Sequence, residues 1–170
     1  SPNMCGAIVL IRQHLKEKYP ELENDPKQLT TLTNQLLMST ATIVLNQQGN
    51  PYSPRKQGAG LASLKNAVTT PAYITVDGTD KTKLELGDDP KKSGVYTMTF
   101  NVVNLSENAL QYDMSVLAMT ESVSTSNKEF VAEKSYLLSG NGSYKVLSNG
   151  TLSGKTLIVE PGKTAKVEIT

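Results

Sequence analysis

The chain has 170 residues, and its 17 Lys and Arg residues against 16 Asp and Glu give a formal net charge of +1. This balance offers no electrostatic reason to expect nucleic acid or an anionic membrane as a partner. A single cysteine, Cys5, excludes an internal disulfide framework, and there is no Cys/His cluster with zinc-site spacing.

Residues 1–20, SPNMCGAIVLIRQHLKEKYP, predict one long helix. Pro2 is tolerated in a first helical turn, and no further breaker occurs before Pro20. Residues 4–11 are apolar or small on every side, whereas polar residues dominate after Arg12, so the front half is expected to be buried and the back half exposed. The apolar run is much shorter than the roughly 20 residues that span a bilayer, which predicts a core helix without membrane insertion.

A second helix is predicted after a polar link at residues 21–24. Asp25 suits an N-cap, Pro26 suits the first helical position, and Gln28 completes a capping box. Leucines at helical spacing extend this helix to about Ser39 and predict packing on the first helix.

Residues 46–57 are predicted to be a surface loop, because they contain Gln-Gly-Asn-Pro and Ser-Pro. The segment Gln57-Gly58-Ala59-Gly60 then gives a Gly-x-Gly turn, without the third glycine and preceding strand of a dinucleotide site. A short last helix follows, with Leu61, Leu64 and Val68 as its apolar stripe.

The pattern changes to alternating apolar and polar residues after Thr69-Thr70-Pro71. The turn at 104–108 predicts a hairpin between its flanking strands, and Pro161-Gly162-Lys163 predicts a closing hairpin. About seven short strands suggest an immunoglobulin or fibronectin type III sandwich, although Trp and a cysteine pair are missing. The predicted strands include 73–76, 82–86, 95–103, 110–118, 157–160 and 165–169.

Four segments of the chain resemble one family. Residues 1–7, SPNMCGA, resemble the segment just after the catalytic serine of subtilisin-like peptidases. Residues 37–41 resemble the Ser/Thr-Ala ending of the following helix, and residues 52–60 resemble the glycine turn of the large cell-envelope proteinases. Residues 101–112 resemble the first fibronectin-like domain of those proteinases.

The resemblance implies an α+β fragment. Residues 1–70 would be the incomplete C-terminal helices of a subtilisin-like α/β catalytic domain, and residues 71–170 an all-β fibronectin type III-like sandwich. The nucleophile would lie a few residues before Ser1, so Ser1 receives no catalytic role. No catalytic, cofactor-binding or metal residue, and no cofactor, is assigned within the chain.

The same resemblance implies part of a secreted or cell-wall-associated serine endopeptidase. Its partners would be protein or peptide substrates, through the parent enzyme, and the rest of the catalytic domain. The segment alone is expected to be inactive and to expose apolar surface, and the β domain to brace the core or aid substrate recognition. The alternative is a non-catalytic surface module for binding or structure.

Other reactive residues are assigned structural roles. His14 is expected at the surface, and Cys5 is expected to be a packing residue. The segments 77–80 and 88–90 could supply calcium ligands, but each falls short of the six to eight oxygens required, so turns are predicted. The glycosylation sequons at Asn104, Asn141 and Asn149 are given no role in a bacterial envelope protein.

Overall fold

The structure is a computed structural model that describes residues 2–124, 131–138 and 142–170. Its helices are α1 (Pro2–Lys18), α2 (Pro26–Ser39), α3 (Pro54–Gln57) and α4 (Leu64–Thr69), with a 3₁₀ helix at Pro20–Asn24. The strands are β1 (Ala72–Val76), β2 (Met98–Asn104), β3 (Leu110–Asp113), β4 (Met119–Ser124), β5 (Val131–Leu137), β6 (Tyr144–Ser148), β7 (Gly150–Ser153), β8 (Thr156–Val159) and β9 (Thr164–Ile169). Among the described residues, no helix is both long and apolar enough to cross a membrane.

The first two helices form as the sequence predicts. The α1 helix ends at Lys18, just before Pro20, and α2 begins at Pro26 behind its N-cap. An oxygen of the Asp25 carboxylate accepts a hydrogen bond of 2.8 Å from the backbone N–H of Gln28, which satisfies a free donor of the first turn. The link between the helices is more ordered than predicted, because it forms the 3₁₀ helix and buries Leu22.

The helices enclose a small apolar core, to which α1 contributes Ile11 and Leu15 on one side. The prediction that the whole front half of α1 is buried is wrong for this chain. Val9 and Leu10 are 63% and 52% exposed, because the described residues pack only against the side that contains Ile11 and Leu15. The buried core residues are Ile11, Leu15, Leu22, Leu29, Leu36, Leu37 and Ala67.

Two helical boundaries after α2 differ from the prediction. The predicted loop contains the short helix α3, because the Ser53 hydroxyl accepts from the Arg55 N–H at 3.2 Å and Pro54 occupies the first helical position. The last helix begins only at Leu64, after the N-cap Ser63, so Leu61 lies outside it and is 67% exposed.

The C-terminal part is antiparallel sheet, as the alternation predicts. One sheet has the order β1-β2-β9-β6 and a second has the order β3-β8-β7. Strands β4 and β5 form a separate two-stranded sheet. The second apolar core lies between β2 and β9 of the first sheet and β8 of the second sheet. Its buried residues are Val102, Leu157, Val159, Ala165, Val167 and Ile169.

Both predicted hairpins are wrong, although strands form on each side of both turns. Strand β2 pairs with β1 and β9, whereas β3 pairs with β8, so the turn at 104–108 crosses between the sheets. The turn after Val159 also crosses, because β8 pairs with β3 and β7 while β9 pairs with β2 and β6. Alternation along each strand is the same in either arrangement, and therefore it does not identify the pairing partner.

The predicted strand at 82–86 does not form, and β3 ends at Asp113 instead of continuing to residue 118. Residues 82–86 pair with no strand in the described part of the chain, and a Lys83 to Glu85 salt bridge of 2.6 Å lies on their surface. Alternating residues form a stable strand only where a neighbouring strand accepts their backbone hydrogen bonds.

The helical and β parts are in direct contact. The Ser39 hydroxyl at the end of α2 accepts a 2.9 Å hydrogen bond from the Ile74 N–H of β1. The Gln35 amide donates to the Asp80 carbonyl at 3.1 Å, and Tyr73 and Leu105 pack on the helical core. These contacts fix the position of β1 against α2.

Candidate docking surface on the helical segment

The first half of α1 presents apolar side chains to solvent. Val9 and Leu10 are more than half exposed, Met4 is 38% exposed, and Cys5 is exposed. A Cβ placed on Gly6 would meet no atom within 4 Å. An exposed apolar helix face of this kind is typical of a surface that contacts another protein segment.

The segment after α2 exposes further large apolar side chains. These residues lie on both sides of a short antiparallel loop that is closed by bridges between Thr42 and Leu61 and between Leu45 and Pro51. They are Ile43 (44% exposed), Val44 (37%), Leu45 (54%), Tyr52 (43%) and Leu61 (67%). We refer to the exposed α1 residues Met4, Cys5, Val9 and Leu10 as the helical apolar surface.

Gln57 holds this loop together. Its side-chain oxygen accepts a 2.7 Å hydrogen bond from the Val44 N–H, and its side-chain nitrogen donates to the carbonyl oxygens of Tyr52 and Val44. The amide thus pairs with backbone groups on both sides of the loop, as a neighbouring strand would. The glycines of this motif are visible in the sequence, whereas the role of the glutamine is not.

The glycine turn allows the chain to approach residue 42 closely. Gly60 has φ of +118°, and a Cβ there would lie 2.3 Å from the Thr42 carbonyl oxygen. Thr42 and Leu61 then exchange two backbone hydrogen bonds of 2.9 and 2.7 Å. Only glycine combines this backbone conformation with so close a contact.

The residues considered for catalysis do not come together. Ser1 lies outside the described residues. His14, predicted to be a surface residue, is half-buried on α1, and Cys5 is exposed instead of packed. In the part of the chain that the structure describes, His14 makes no hydrogen bond to a serine or an aspartate.

The two aspartate segments considered for calcium have other partners. The Lys166 ammonium lies 3.0 Å from Asp77 and, with a hydrogen bond from Asn101, holds the pKa of the Asp77 carboxyl below its usual value. The N–H groups of Gly94 and its neighbours similarly lower the pKa of Asp89. Within the described ranges, no group of three His, Cys, Asp or Glu side chains could hold a metal ion.

Two of the three sequon asparagines lie in the described residues. Asn104 is 2% exposed and fully hydrogen-bonded, whereas Asn149 is exposed and donates to the Thr164 carbonyl at 3.2 Å. Asn141 lies outside the described residues. Burial of Asn104 fits a structural role, which its sequence motif did not indicate.

Comparison with known proteins gives a consistent set of relatives. No family model matches the chain. A C5a peptidase of Streptococcus pyogenes is 27% identical over 124 residues, which cover 72% of this chain and 10% of that protein. PII-type proteinases of Lacticaseibacillus paracasei and Lactococcus lactis subsp. cremoris are each 29% identical over 185 aligned residues, covering 100% of this chain and 9% of those proteins. The chain therefore spans about a tenth of the length of these curated relatives.

Proposed function

Because the chain is a homologue of the subtilisin-like cell-envelope proteinases, we propose that it is a segment of a secreted or cell-wall-associated serine endopeptidase. In this proposal residues 1–70 complete the catalytic domain, and residues 71–170 form its first fibronectin type III-like domain. The substrates of the parent enzyme are proteins or peptides.

The helical apolar surface is the observation that best supports this proposal. Val9 and Leu10 belong to a helix whose other side already packs on the helical core, so they are free to contact a further part of the same domain. Burying such side chains stabilises a fold by roughly 1.5–3 kcal/mol each. The partner of this surface is the preceding part of the catalytic domain.

The position of α1 explains how the segment would assist catalysis. The PII-type proteinases align over the whole chain, including its start, and the resemblance of residues 1–7 implies a nucleophilic serine a few residues before α1. The N-terminus of a helix has unpaired N–H groups and a partial positive charge, which favour the negative charge that develops during acyl transfer. The helix therefore contributes orientation and electrostatics, while the reacting groups come from outside these residues.

The β part braces the catalytic helices. Ser39 and Gln35 connect α2 to residues 74 and 80, and Leu105 packs on the helical core, so displacement of the sheet would expose that core. A rigid contact of this kind keeps α1 and α2 in place while a large substrate binds.

A serine-directed fluorophosphonate probe tests the proposal. We expect no labelling of the 170-residue chain, and stoichiometric labelling of the longer gene product at the serine before residue 1. Replacing that serine by alanine in the longer protein is the control and should abolish labelling. Labelling of the short chain would show that the assignment is wrong, and absence of labelling in the longer protein would favour the alternative of a non-catalytic surface module.

The docking role of α1 has a separate test. Val9→Asn should leave the short chain folded, because Val9 is 63% exposed there, yet should prevent the longer protein from folding to an active enzyme. Glu17→Gln, on the exposed polar half of the same helix, is the matched control. It should change neither the folding of the short chain nor the activity of the longer protein. Full activity of the Val9→Asn enzyme would contradict a buried position in the parent.

A further inference from the structure

A cavity of about 480 Å³ lies where the 3₁₀ helix and α2 meet the first part of the β domain. Its apolar wall includes Leu22, Leu32 and Leu105, and its polar wall includes Tyr19 and Gln35. The cavity has the size of a small-molecule site and belongs to neither the helical apolar surface nor the start of α1. The proposal below does not rest on the proteinase function.

One polar group of this cavity is buried without a hydrogen-bond partner, and a second is only partly hydrogen-bonded. The Tyr19 hydroxyl is buried and has no hydrogen-bond partner among the described residues. Gln35 is only 5% exposed, and while its nitrogen donates to the Asp80 carbonyl, its side-chain oxygen accepts no bond within the described part of the chain. A buried polar group in a native protein usually has a partner, so the Tyr19 hydroxyl is expected to meet a donor from outside the chain, and the unpaired Gln35 oxygen can accept from the same donor.

The electrostatics of the cavity favour a positively charged partner. Three acidic side chains and one basic side chain line the cavity: Glu21, Asp25 and Asp80, and Lys27. Burial first, and then the charge of the nearby Asp80 and the neighbouring Tyr19, raise the pKa of the Tyr73 hydroxyl.

We propose that this cavity binds a guanidinium group with its alkyl stem. A guanidinium has five N–H donors in one plane and can reach several acceptors at once, here the Tyr19 hydroxyl, the Gln35 oxygen and the Asp80 carboxylate. The alkyl stem packs along the leucines of the opposite wall.

The position of Lys18 determines which part of Tyr19 is available. Its ammonium lies 5.4 Å from the centroid of the Tyr19 ring, so one face of the ring already has a cation. We assign the guanidinium to the hydroxyl, because that oxygen is the unpartnered acceptor. A metal ion does not fit, because no group of three His, Cys, Asp or Glu side chains is assembled in the described residues.

Titration of the 170-residue chain with agmatine, followed by amide chemical shifts at low salt, tests the site. We expect saturable binding near a millimolar dissociation constant, with shifts around residues 19, 35, 73 and 80. Asp80→Asn should weaken binding about tenfold, because it removes the negative charge that strengthens the hydrogen bond to the cation. Tyr19→Phe should weaken binding about threefold, because it removes one acceptor. Tyr52→Phe, in an exposed tyrosine outside the cavity, is the matched control and should have no effect.

Two further ligands define the chemistry and its source. Butylurea has a similar shape without charge, and equal binding of butylurea and agmatine would overturn the cationic assignment. A capped Gly-Arg-Gly peptide tests whether the site binds an arginine side chain within a polypeptide, whereas agmatine tests a free guanidinium compound. Binding of either ligand supports the site. No saturable binding of agmatine or the peptide, or binding unchanged by both Asp80→Asn and Tyr19→Phe, would overturn the proposal.

Discussion

The crossing between the two sheets depends on one side chain, Asn104. Its nitrogen donates to the carbonyls of Asn108, Val159 and Glu160 at 2.8, 3.2 and 3.1 Å. Its oxygen accepts from the N–H and the hydroxyl of Ser106, both at 2.8 Å. These bonds join the end of β2 to the end of β8 and hold the turn that carries the chain from one sheet to the other.

The cost of Asn104→Ala can be worked out from these contacts. The bond to Val159 is buried, and leaving that carbonyl unpaired costs about 1–3 kcal/mol. The other four bonds are partly buried, so water can replace them, and each contributes about 0.5 kcal/mol. We therefore expect a loss of about 3–5 kcal/mol in the free energy of unfolding.

Urea denaturation of the 170-residue chain measures this loss. The midpoint for Asn104→Ala should fall by about 2 M at an unchanged slope. The control is Asn108→Ala, because the exposed Asn108 contributes only backbone groups to the turn, and it should cost less than about 0.5 kcal/mol. A loss below about 1 kcal/mol for Asn104→Ala would refute the assignment of the turn to this side chain.

The remaining predictions concern the glycine turn, the helical core and the sheet surface. In urea denaturation, Gly60→Ala should cost about 2–3 kcal/mol, because its Cβ would lie 2.3 Å from a backbone oxygen. Gly58→Ala has open space around it, so its positive φ is the only source of strain, and it should cost about 1 kcal/mol. Leu15→Ala should cost about 2–5 kcal/mol, whereas Leu10→Ala on the exposed side should cost less than about 1 kcal/mol, and equal losses would contradict the orientation of α1. Because the pKa of Asp77 is lowered in the folded state, this carboxylate stabilises the fold at any pH above its unfolded-state pKa, and the stabilisation is lost as the pH falls through its folded-state pKa. Asp77→Asn should therefore flatten the acid side of a profile of stability against pH. An unchanged profile would show that the ion pair is not formed.

The candidate docking surface could be predicted only in outline. The apolar run of α1 was visible in the sequence, and so were the glycines at 58 and 60. Which side chains of α1 are exposed was not visible, because a helix that is apolar on every side has no periodicity from which to infer its buried face. The bracing role of Gln57 also left no signal, since a polar residue before a glycine is common in loops.

Elements with strong local signals could be predicted without knowledge of the fold. The caps and prolines set the start of α2 and the end of α1, and the alternation of residues identified β2 and β9. Local backbone chemistry acts within a few residues, so it can be recognised without knowledge of the fold.

Tertiary structure alone decided which strands pair and what fills the space between the two parts. The turns after β2 and β8 looked like hairpin turns, yet both cross between sheets, because the stable pairing is set by the shared apolar core and by buried bonds such as those of Asn104. The cavity beside Tyr19 and Gln35 likewise exists only because residues far apart in the chain meet at the junction of α2 and β1. Strand alternation repeats every two residues whatever the partner, and therefore only the packed fold distinguishes one arrangement from another.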